Sequence, residues 1–267
     1  RVSPQDLREA ITHQELRDPE HGDQHRGRLG IRCRHDRTRL APLGQVLPGA
    51  RHQPGEQFVT GETIEEALAN ARKYEAKGFR YSYDMLGEAA RTRADAKRYF
   101  DDYARAIEQV GKACKTLGDK TPAPSVSIKL SALHPRYEFG RREQVLAELV
   151  DTVIKLVTKA RELDVAVTID AEEVDRLELS LEVFRAIYQS SAAKGWGHFG
   201  LVVQAYSKRA LPVLHYLNRL ADQQGDEIPL RLVKGAYWDS EIKESQQLGV
   251  DGYPVYTRKA CTDVAYL

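Results

Sequence analysis

The chain has 267 residues, of which 42% are hydrophobic and 30% charged, and its formal net charge is +1. This composition predicts a globular protein with one large or two small domains, and the near-neutral charge argues against nucleic-acid binding by the whole chain. There is no apolar run long enough for a transmembrane helix, and the three well-separated cysteines exclude a disulfide scaffold or a cysteine-based zinc site.

The first 54 residues differ in composition from the rest of the chain. Residues 1–54 contain ten Arg, no Lys and no aromatic residue, so they can bury little apolar surface. We predict a low-order, Arg-rich segment of foreign or disordered character. The run at 26–39 is also typical of an arginine-rich nucleic-acid arm, although no aromatic residue is interleaved to stack on bases.

From residue 55 onward the pattern becomes that of alternating helices and strands. Residues 55–78 are predicted as a helical lead-in, in which Thr63 and Glu66 match a capping box. The predicted strands are 79–86, 125–130, 165–170, 200–204 and 230–235, and the predicted helices are 92–116, 143–163, 176–190 and 208–223, with another starting at 257. Repeated βα units imply a parallel sheet.

In four of the five predicted strands, all except 200–204, the two faces differ in polarity. In the third strand, Val167 and Ile169 share one face, whereas Thr168 and Asp170 share the other. A doubly wound sheet is apolar on both faces, whereas a barrel with a polar mouth explains this asymmetry. We therefore predict an α/β fold, a TIM-type (β/α)8 barrel. Because a complete barrel has eight strands and about 250 residues, residues 79–267 are predicted to be a partial barrel and the chain a fragment.

Polar residues stand at the carboxyl ends of the predicted strands, which is where barrels build their active sites. Buried charges are costly unless they are paired or face a solvated site, so these residues favour a catalytic site over simple packing. They are Asp84, Lys129, Asp170, Gln204, Arg231 and Lys234.

Two alternative chemistries remain open on these residues. The acidic run at 170–173 could hold a divalent metal, although Glu172 and Glu173 also suit a helix N-terminus. Lys129 or Lys234 could serve as a Schiff-base lysine of an aldolase-like barrel. The GxxxxGK[ST] and GxSxG motifs are absent, so a P-loop and a nucleophile elbow are not supported. The GxGxxG spacing at 195–200 leads into a predicted strand instead of following one, so it does not support a Rossmann site.

Six blocks of sequence, in this order, resemble the proline dehydrogenase domain of bacterial bifunctional proline utilization A. They are GEQFVTGET (55–63), YSYDMLGEAA (81–90), SIKLSALHPRY (127–137), IDAEE (169–173), VQAY (203–206) and RLVKGAYWDSEIK (231–243). The resemblance covers residues 55–267. It implies a (β/α)8 barrel that binds FAD without a Rossmann motif and oxidises L-proline to 1-pyrroline-5-carboxylate, the first step of proline catabolism to glutamate.

The resemblance also implies roles for individual residues. Lys129 resembles the lysine that holds the proline carboxylate, Asp170 the aspartate near the substrate amine, Tyr237 the tyrosine of the pocket wall, and Glu88 the glutamate that gates the pocket through an ion pair. The residues that resemble flavin contacts are Gln204, Arg231, Val233, Gly235, Ala236, Trp238, Thr257 and Lys259. No metal ligand is expected.

The resemblance further implies that electrons pass to a quinone and that the complete protein is cytoplasmic, with peripheral association at the inner face of the cell membrane. The family's aldehyde dehydrogenase domain, and the DNA-binding domain of some members, do not match any part of this chain. The paired arginines that bind the proline carboxylate, and a flavin-contacting histidine, also belong to regions outside it. We therefore expect little activity from this chain alone. A Schiff-base aldolase and a non-enzymatic basic-arm nucleic-acid binder are kept as alternatives.

Overall fold

The computed structural model describes residues 31–35, 61–75, 77, 79, 81–115 and 124–267. Most of the predicted low-order segment 1–54, including the greater part of the Arg-rich run, lies outside these residues. The first part of the predicted lead-in, 55–60, also lies outside them.

The described chain contains six strands, eight helices and two single 3-10 turns. The strands are β1 Ile31–His35, β2 Tyr81–Met85, β3 Ser125–Ile128, β4 Ala166–Ile169, β5 Phe199–Gln204 and β6 Leu230–Val233. The helices are α1 Ile64–Glu75, α2 Arg93–Cys114, α3 Leu130–Leu133, α4 Arg142–Glu162, α5 Leu177–Tyr188, α6 Ala210–Gln224, α7 Trp238–Leu248 and α8 Lys259–Tyr266. The 3-10 turns are Phe139–Arg141 and Val174–Arg176.

These elements form two compact units. The first unit consists of the described residues up to 135 together with 152–168, and the second consists of 136–151 and 169–267. The chain passes between the units after Pro135, within α4 and at the end of β4.

In the first unit, β2 and β3 are parallel, with Asp84 opposite Ser127. Strand β1, which the sequence did not predict, runs antiparallel to β2. Helix α2 starts at a capping box in which Thr92 Oγ1 accepts the Asp95 N–H at 3.0 Å and the Asp95 carboxylate accepts the Thr92 N–H at 3.1 Å. These bonds satisfy donors that a helix N-terminus would otherwise leave open.

In the second unit, β5 and β6 are parallel, with Val202 opposite Arg231. Every residue of β5 is buried. Phe184 of α5 stacks on Phe199 of β5, with ring centroids 5.0 Å apart, and on Tyr188, at 5.6 Å. Stacked aromatic rings bury large apolar areas, so they fix this helix against its strand.

The succession of strand and helix from β2 to β6 is that of an incomplete (β/α)8 barrel, so the predicted α/β fold class is confirmed. The predicted boundaries of the strands and of the longer helices agree with the structure to within two residues. The second strand was predicted to extend to 130, but it ends at Ile128 because the chain turns at Lys129 into the one-turn helix α3. Helix α7 was not predicted.

Candidate active site

An ion pair joins the residue after β4 to strand β6 in the second unit. Asp170 directly follows β4, and its carboxylate Oδ1 lies 3.5 Å from Nη1 of Arg231 on β6. The Asp170 side chain is 4% exposed and that of Arg231 is 23% exposed. A buried carboxylate is costly without an opposite charge, which Arg231 supplies. The pair therefore places a carboxylate and a guanidinium side by side at the carboxyl end of β4.

Gln204 connects the loops that follow β4 and β6. It is the last residue of β5 and is buried. Its Nε2 donates to the Glu172 carbonyl oxygen at 3.0 Å, and its Oε1 accepts the Ala236 N–H at 2.9 Å. Two backbone hydrogen bonds from one buried amide hold both loops to the end of β5. The amide has further donor and acceptor capacity beyond these two bonds.

The turn from β6 into α7 requires a glycine. Gly235 has φ +145°, and a Cβ at this position would lie 2.4 Å from Cγ of the Tyr206 ring. Any larger residue would meet both backbone strain and a clash with that ring. The Tyr206 hydroxyl in turn accepts the Tyr237 N–H at 3.3 Å. Tyr206 therefore sets the path of the chain through the predicted site residues 235–237.

The start of α7 also packs on this tyrosine. Trp238 lies against a small buried cluster that contains Tyr206, Ile242 and Val255. The indole N–H of Trp238 donates to the Tyr256 carbonyl oxygen at 3.0 Å, and the Tyr256 N–H donates to the Tyr206 carbonyl oxygen at 2.7 Å. Thr257, a predicted flavin contact, is half-buried and immediately follows this anchored residue.

Lys234 and Lys259 share one carboxylate on the surface. Lys259 Nζ lies 2.6 Å from Oδ2 of Asp263, and Lys234 pairs with Oδ1 of the same residue. These two ammonium groups hold the pKa of the Asp263 carboxyl below its ordinary value. Lys234 is exposed.

The acidic run after β4 is bound to a guanidinium in this structure. Glu172 and Glu173 lie 3.1 and 3.0 Å from Nη1 of Arg176. Arg176 also lies over the ring of Tyr137, 5.7 Å from its centroid. The carboxylates that could have formed the alternative metal site are therefore neutralised by an arginine. Within the described ranges, no group of three His, Cys, Asp or Glu has a metal-binding arrangement.

A second charged pair lies in the first unit. Lys129 directly follows β3, and its Nζ is 3.4 Å from Oδ1 of Asp84 on β2, with side chains 14% and 6% exposed. The Lys129 N–H donates to the Tyr103 hydroxyl at 3.1 Å, which fixes the backbone at this point. A buried ammonium of this kind is suited to hold an anionic group.

Glu88 is exposed on the loop that follows β2. The loop is fixed on both sides of it. Gly87 has φ +144°, and a Cβ there would lie 2.3 Å from the Tyr99 ring. The Ala89 N–H donates to Ser131 Oγ at 3.0 Å, and the Ala90 N–H donates to the Ser131 carbonyl oxygen at 2.9 Å. The structure thus presents Glu88 to solvent from an anchored turn.

A sequence profile described as "Proline dehydrogenase" matches residues 67–267. The chain belongs to the proline dehydrogenase family. The predicted resemblance is thereby confirmed.

Relatives of this family resemble the chain in both sequence and structure. It is 55% identical to the bifunctional protein PutA of Klebsiella aerogenes over 213 residues, 80% of this chain and 16% of that protein. It is 31% identical to the proline dehydrogenase of Deinococcus radiodurans, over 68% of this chain and 52% of that one. It superposes on the crystal structure of Bdellovibrio bacteriovorus proline utilization A with a TM-score of 0.74 at 30% identity, over 79% of this chain and 23% of the other. The chain therefore spans only about one sixth of the PutA relative.

Predicted site residues lie in two sets in the structure, one in each unit. The second unit brings together Asp170, Gln204, Arg231, Ala236 and Tyr237 through the contacts described above. The first unit pairs Lys129 with Asp84. Val233 is half-buried at the end of β6. Sequence reasoning did not assign roles to Tyr206 or Glu241. Tyr206 lies within the quoted VQAY block, but its position beneath Gly235 becomes visible only in three dimensions.

Proposed function

We propose that the protein oxidises L-proline to 1-pyrroline-5-carboxylate, with FAD as its resident oxidant. The observation that carries the proposal is the ion pair between Asp170, which follows β4, and Arg231 on β6, in a chain of the proline dehydrogenase family. In this reaction the ring carbon next to nitrogen loses a hydrogen with its electron pair, the nitrogen loses a proton, and a C=N bond forms.

The substrate amine has to be neutral for this step, because its lone pair becomes part of the new double bond. Asp170 offers a buried carboxylate that can accept a hydrogen bond from the amine and fix the ring carbon for transfer. The ammonium of Lys129 suits the substrate carboxylate, because a charge-assisted hydrogen bond is stronger than a neutral one. Tyr237 is proposed as the pocket wall and Glu88 as the gate, on the basis of the sequence resemblance.

The residues present fit a flavin. When bound, FAD supplies the two-electron acceptor that proline oxidation needs. Arg231 is a half-buried guanidinium that can balance negative charge on the flavin ring, and Gln204 retains amide capacity beyond its two backbone bonds. Lys259 is an exposed ammonium suited to a phosphate group. The other proposed contacts are Val233, Gly235, Ala236, Trp238 and Thr257.

We further propose that the electrons pass to a membrane quinone and that the complete protein is cytoplasmic and associates peripherally with the membrane. Among the helices in the described part of the chain, none is long and apolar enough to cross a bilayer. Recruitment to a membrane surface is compatible with that finding.

The lysine contacts favour proline oxidation over the Schiff-base alternative. A Schiff-base lysine has to lose its proton before it attacks a carbonyl group. Lys129 is paired with Asp84, and Lys234 is paired with Asp263. Both lysines are therefore arranged as paired cations rather than as free nucleophiles. The greater part of the run proposed as a nucleic-acid arm lies outside the described residues.

The decisive experiment uses the full-length protein that carries this sequence. We expect the purified protein to show flavin absorbance, which L-proline bleaches under anaerobic conditions, with formation of a product that o-aminobenzaldehyde traps as 1-pyrroline-5-carboxylate. L-Alanine, which lacks the ring, is the matched control and should not bleach the flavin. Failure of proline to bleach the flavin, or covalent trapping of a carbonyl substrate on Lys129 by borohydride, would overturn the proposal.

The same assay tests the proposed inactivity of the isolated chain. The paired arginines expected for the carboxylate lie outside these 267 residues, so substrate positioning is incomplete. We expect proline turnover by the 267-residue chain to be at least about a hundredfold lower than that of the full-length protein. Comparable turnover by the two would show that this part of the proposal is wrong.

A further inference from the structure

A buried carboxylate on α7 contacts the loop that carries Asp170. Glu241 is only 3% exposed, and its Oε1 accepts the Val174 N–H at 2.8 Å. Its own carbonyl oxygen accepts the Ser245 hydroxyl at 2.7 Å, which ties the next turn of the helix to the same residue. A glutamate is seldom buried to this extent unless its carboxylate has a specific partner. The Val174 N–H is such a partner.

Val174 is the first residue of the 3-10 turn that leads into α5. A backbone N–H at the start of a helical turn needs an acceptor from outside the turn. Glu173, the residue in the capping position, has its carboxylate on Arg176 instead. Glu241 therefore provides, from a different helix, the acceptor that a local capping side chain would normally provide.

The bond fixes the loop at one end, and the functional contacts fix it along its length. Asp170 at its start pairs with Arg231, and the Glu172 carbonyl accepts the Gln204 amide. Helix α7, which carries Glu241, starts immediately after Tyr237. Glu241 thus links the two segments of the second unit that supply Asp170 and Tyr237.

The surroundings of Glu241 are mostly acidic. Asp175, Glu173 and Glu244 face it and, together with burial, disfavour its negative charge. Lys208 lines the same cavity as Glu241, and the buried Tyr206 hydroxyl is close enough to interact with the Glu241 carboxylate electrostatically. The neighbouring charges therefore do not explain why a carboxylate is buried at this position. The hydrogen bond from the Val174 N–H is a contact that stabilises it there.

We propose that Glu241 is a positioning residue for proline oxidation, which holds the 170–174 loop against α7 so that Asp170 stays paired with Arg231. This inference rests on the proposed function for its kinetic consequence, but its structural step can be tested without substrate.

The test uses Glu241→Ala and Glu241→Gln in the full-length protein. Hydrogen–deuterium exchange of a peptide spanning 171–177 reports on the Val174 N–H, and steady-state kinetics with proline report on Asp170. Glu241→Ala should speed exchange in that peptide and lower kcat, each by about tenfold, because a buried donor loses its acceptor. Glu241→Gln retains an acceptor oxygen and should preserve both slow exchange and most of kcat.

Two further variants keep the result interpretable. Glu244→Ala removes an exposed carboxylate from the same helix and should change neither readout. Val174→Pro removes the donor of the same hydrogen bond instead of its acceptor, at the first position of a helical turn, where proline is tolerated. It should show the kinetic loss expected for Glu241→Ala. It therefore tests the hydrogen bond even if Glu241→Ala folds poorly.

The outcomes separate the two proposals. Unchanged exchange in Glu241→Ala, faster exchange with an unchanged kcat, or a Glu241→Gln variant that behaves like the alanine variant would each overturn the positioning role. A wild-type protein that does not oxidise proline would contradict the proposed function, whereas the exchange result would still report whether Glu241 holds the loop.

Discussion

Asp170 and Arg231 form an ion pair although one follows β4 and the other lies on β6, with β5 between these strands in the chain. Gln204, at the end of β5, forms hydrogen bonds with the loop that follows β4 and with the loop that follows β6. The charged pair and the amide together hold three successive strand ends in one network. Such preorganised charges are the main contribution that a protein makes when a cofactor supplies the redox chemistry.

The charge of Asp170 is the first feature to test. Asp170→Asn keeps the shape of the side chain but removes its charge, so we expect kcat/KM for proline to fall by about a hundredfold in the full-length protein. Asp175→Asn, an exposed substitution on the same loop, is the control and should stay within about twofold of wild type. An Asp170→Asn variant with near wild-type kcat/KM would contradict a role for this carboxylate in proline oxidation.

Much of this network could be anticipated from the sequence because strand ends in parallel α/β proteins are predictable. The alternation of apolar and polar residues placed Asp170, Gln204 and Arg231 at the ends or on the polar faces of their strands. These positions depend on the two-residue period of a strand, which a sequence shows directly.

The contacts between α7 and the loop after β4 could not be predicted from the hydrophobic periodicity of the sequence. Helix α7 was missed because its polar sequence gave no apolar stripe clear enough to predict a helix. Glu241 therefore looked like any surface glutamate. The burial of its carboxylate and its bond to Val174 depend on how segments distant in sequence pack, which periodicity does not report.

The Gly235 turn gives a prediction for stability. Gly235→Ala places a methyl group where φ is +145° and where a Cβ lies 2.4 Å from the Tyr206 ring. We expect it to lower the free energy of unfolding by about 2 kcal/mol or more, from backbone strain and overpacking together. Gly140→Ala is the matched control, because a Cβ there meets no described atom within 4 Å. Equal urea-unfolding midpoints for the two variants would contradict this account.

The Lys129–Asp84 pair should be strongly coupled because both side chains are largely buried. Asp84→Ala leaves a buried ammonium without its partner and should lower the free energy of unfolding by about 3 kcal/mol, whereas the double variant with Lys129→Met should recover much of that loss. The exposed pair of Lys97 and Asp101 is the reference, with an expected coupling below about 1 kcal/mol. Urea unfolding of each double-mutant cycle measures both couplings, and additive effects at Lys129 and Asp84 would show that the pair contributes little.

The proposed role of Lys129 in holding the substrate predicts a separate kinetic effect. Lys129→Met removes the ammonium that suits the proline carboxylate, so KM for proline should rise by about tenfold or more while kcat changes less. Steady-state kinetics in the full-length protein distinguish the two parameters. Lys97→Met, at the exposed pair, should leave KM unchanged. A fall in kcat with a constant KM would assign Lys129 to another step.

The buried carboxyl of Glu241 makes stability depend on pH in a direction that can be worked out. Burial is the largest cause that raises the pKa of Glu241 from its ordinary 4.5 to about 7, with the Val174 N–H acting in the opposite direction. The folded protein then holds this proton more tightly than the unfolded chain does. The contribution of Glu241 to stability should therefore be greatest below about pH 4.5, decrease as pH rises to about 7, and stay level above it.

Glu241→Gln removes this titration but keeps an oxygen that can accept the Val174 N–H. At pH 8 the variant should therefore be more stable than the wild type, by at most about 3 kcal/mol, and the difference should shrink steadily towards pH 5. Urea unfolding at a series of pH values measures it, with Glu162→Gln, an exposed glutamate on α4, as the control that should show no such trend. A stability difference that is constant across this range would mean that the Glu241 carboxyl titrates normally and is not held in the acidic, buried surroundings that the structure shows.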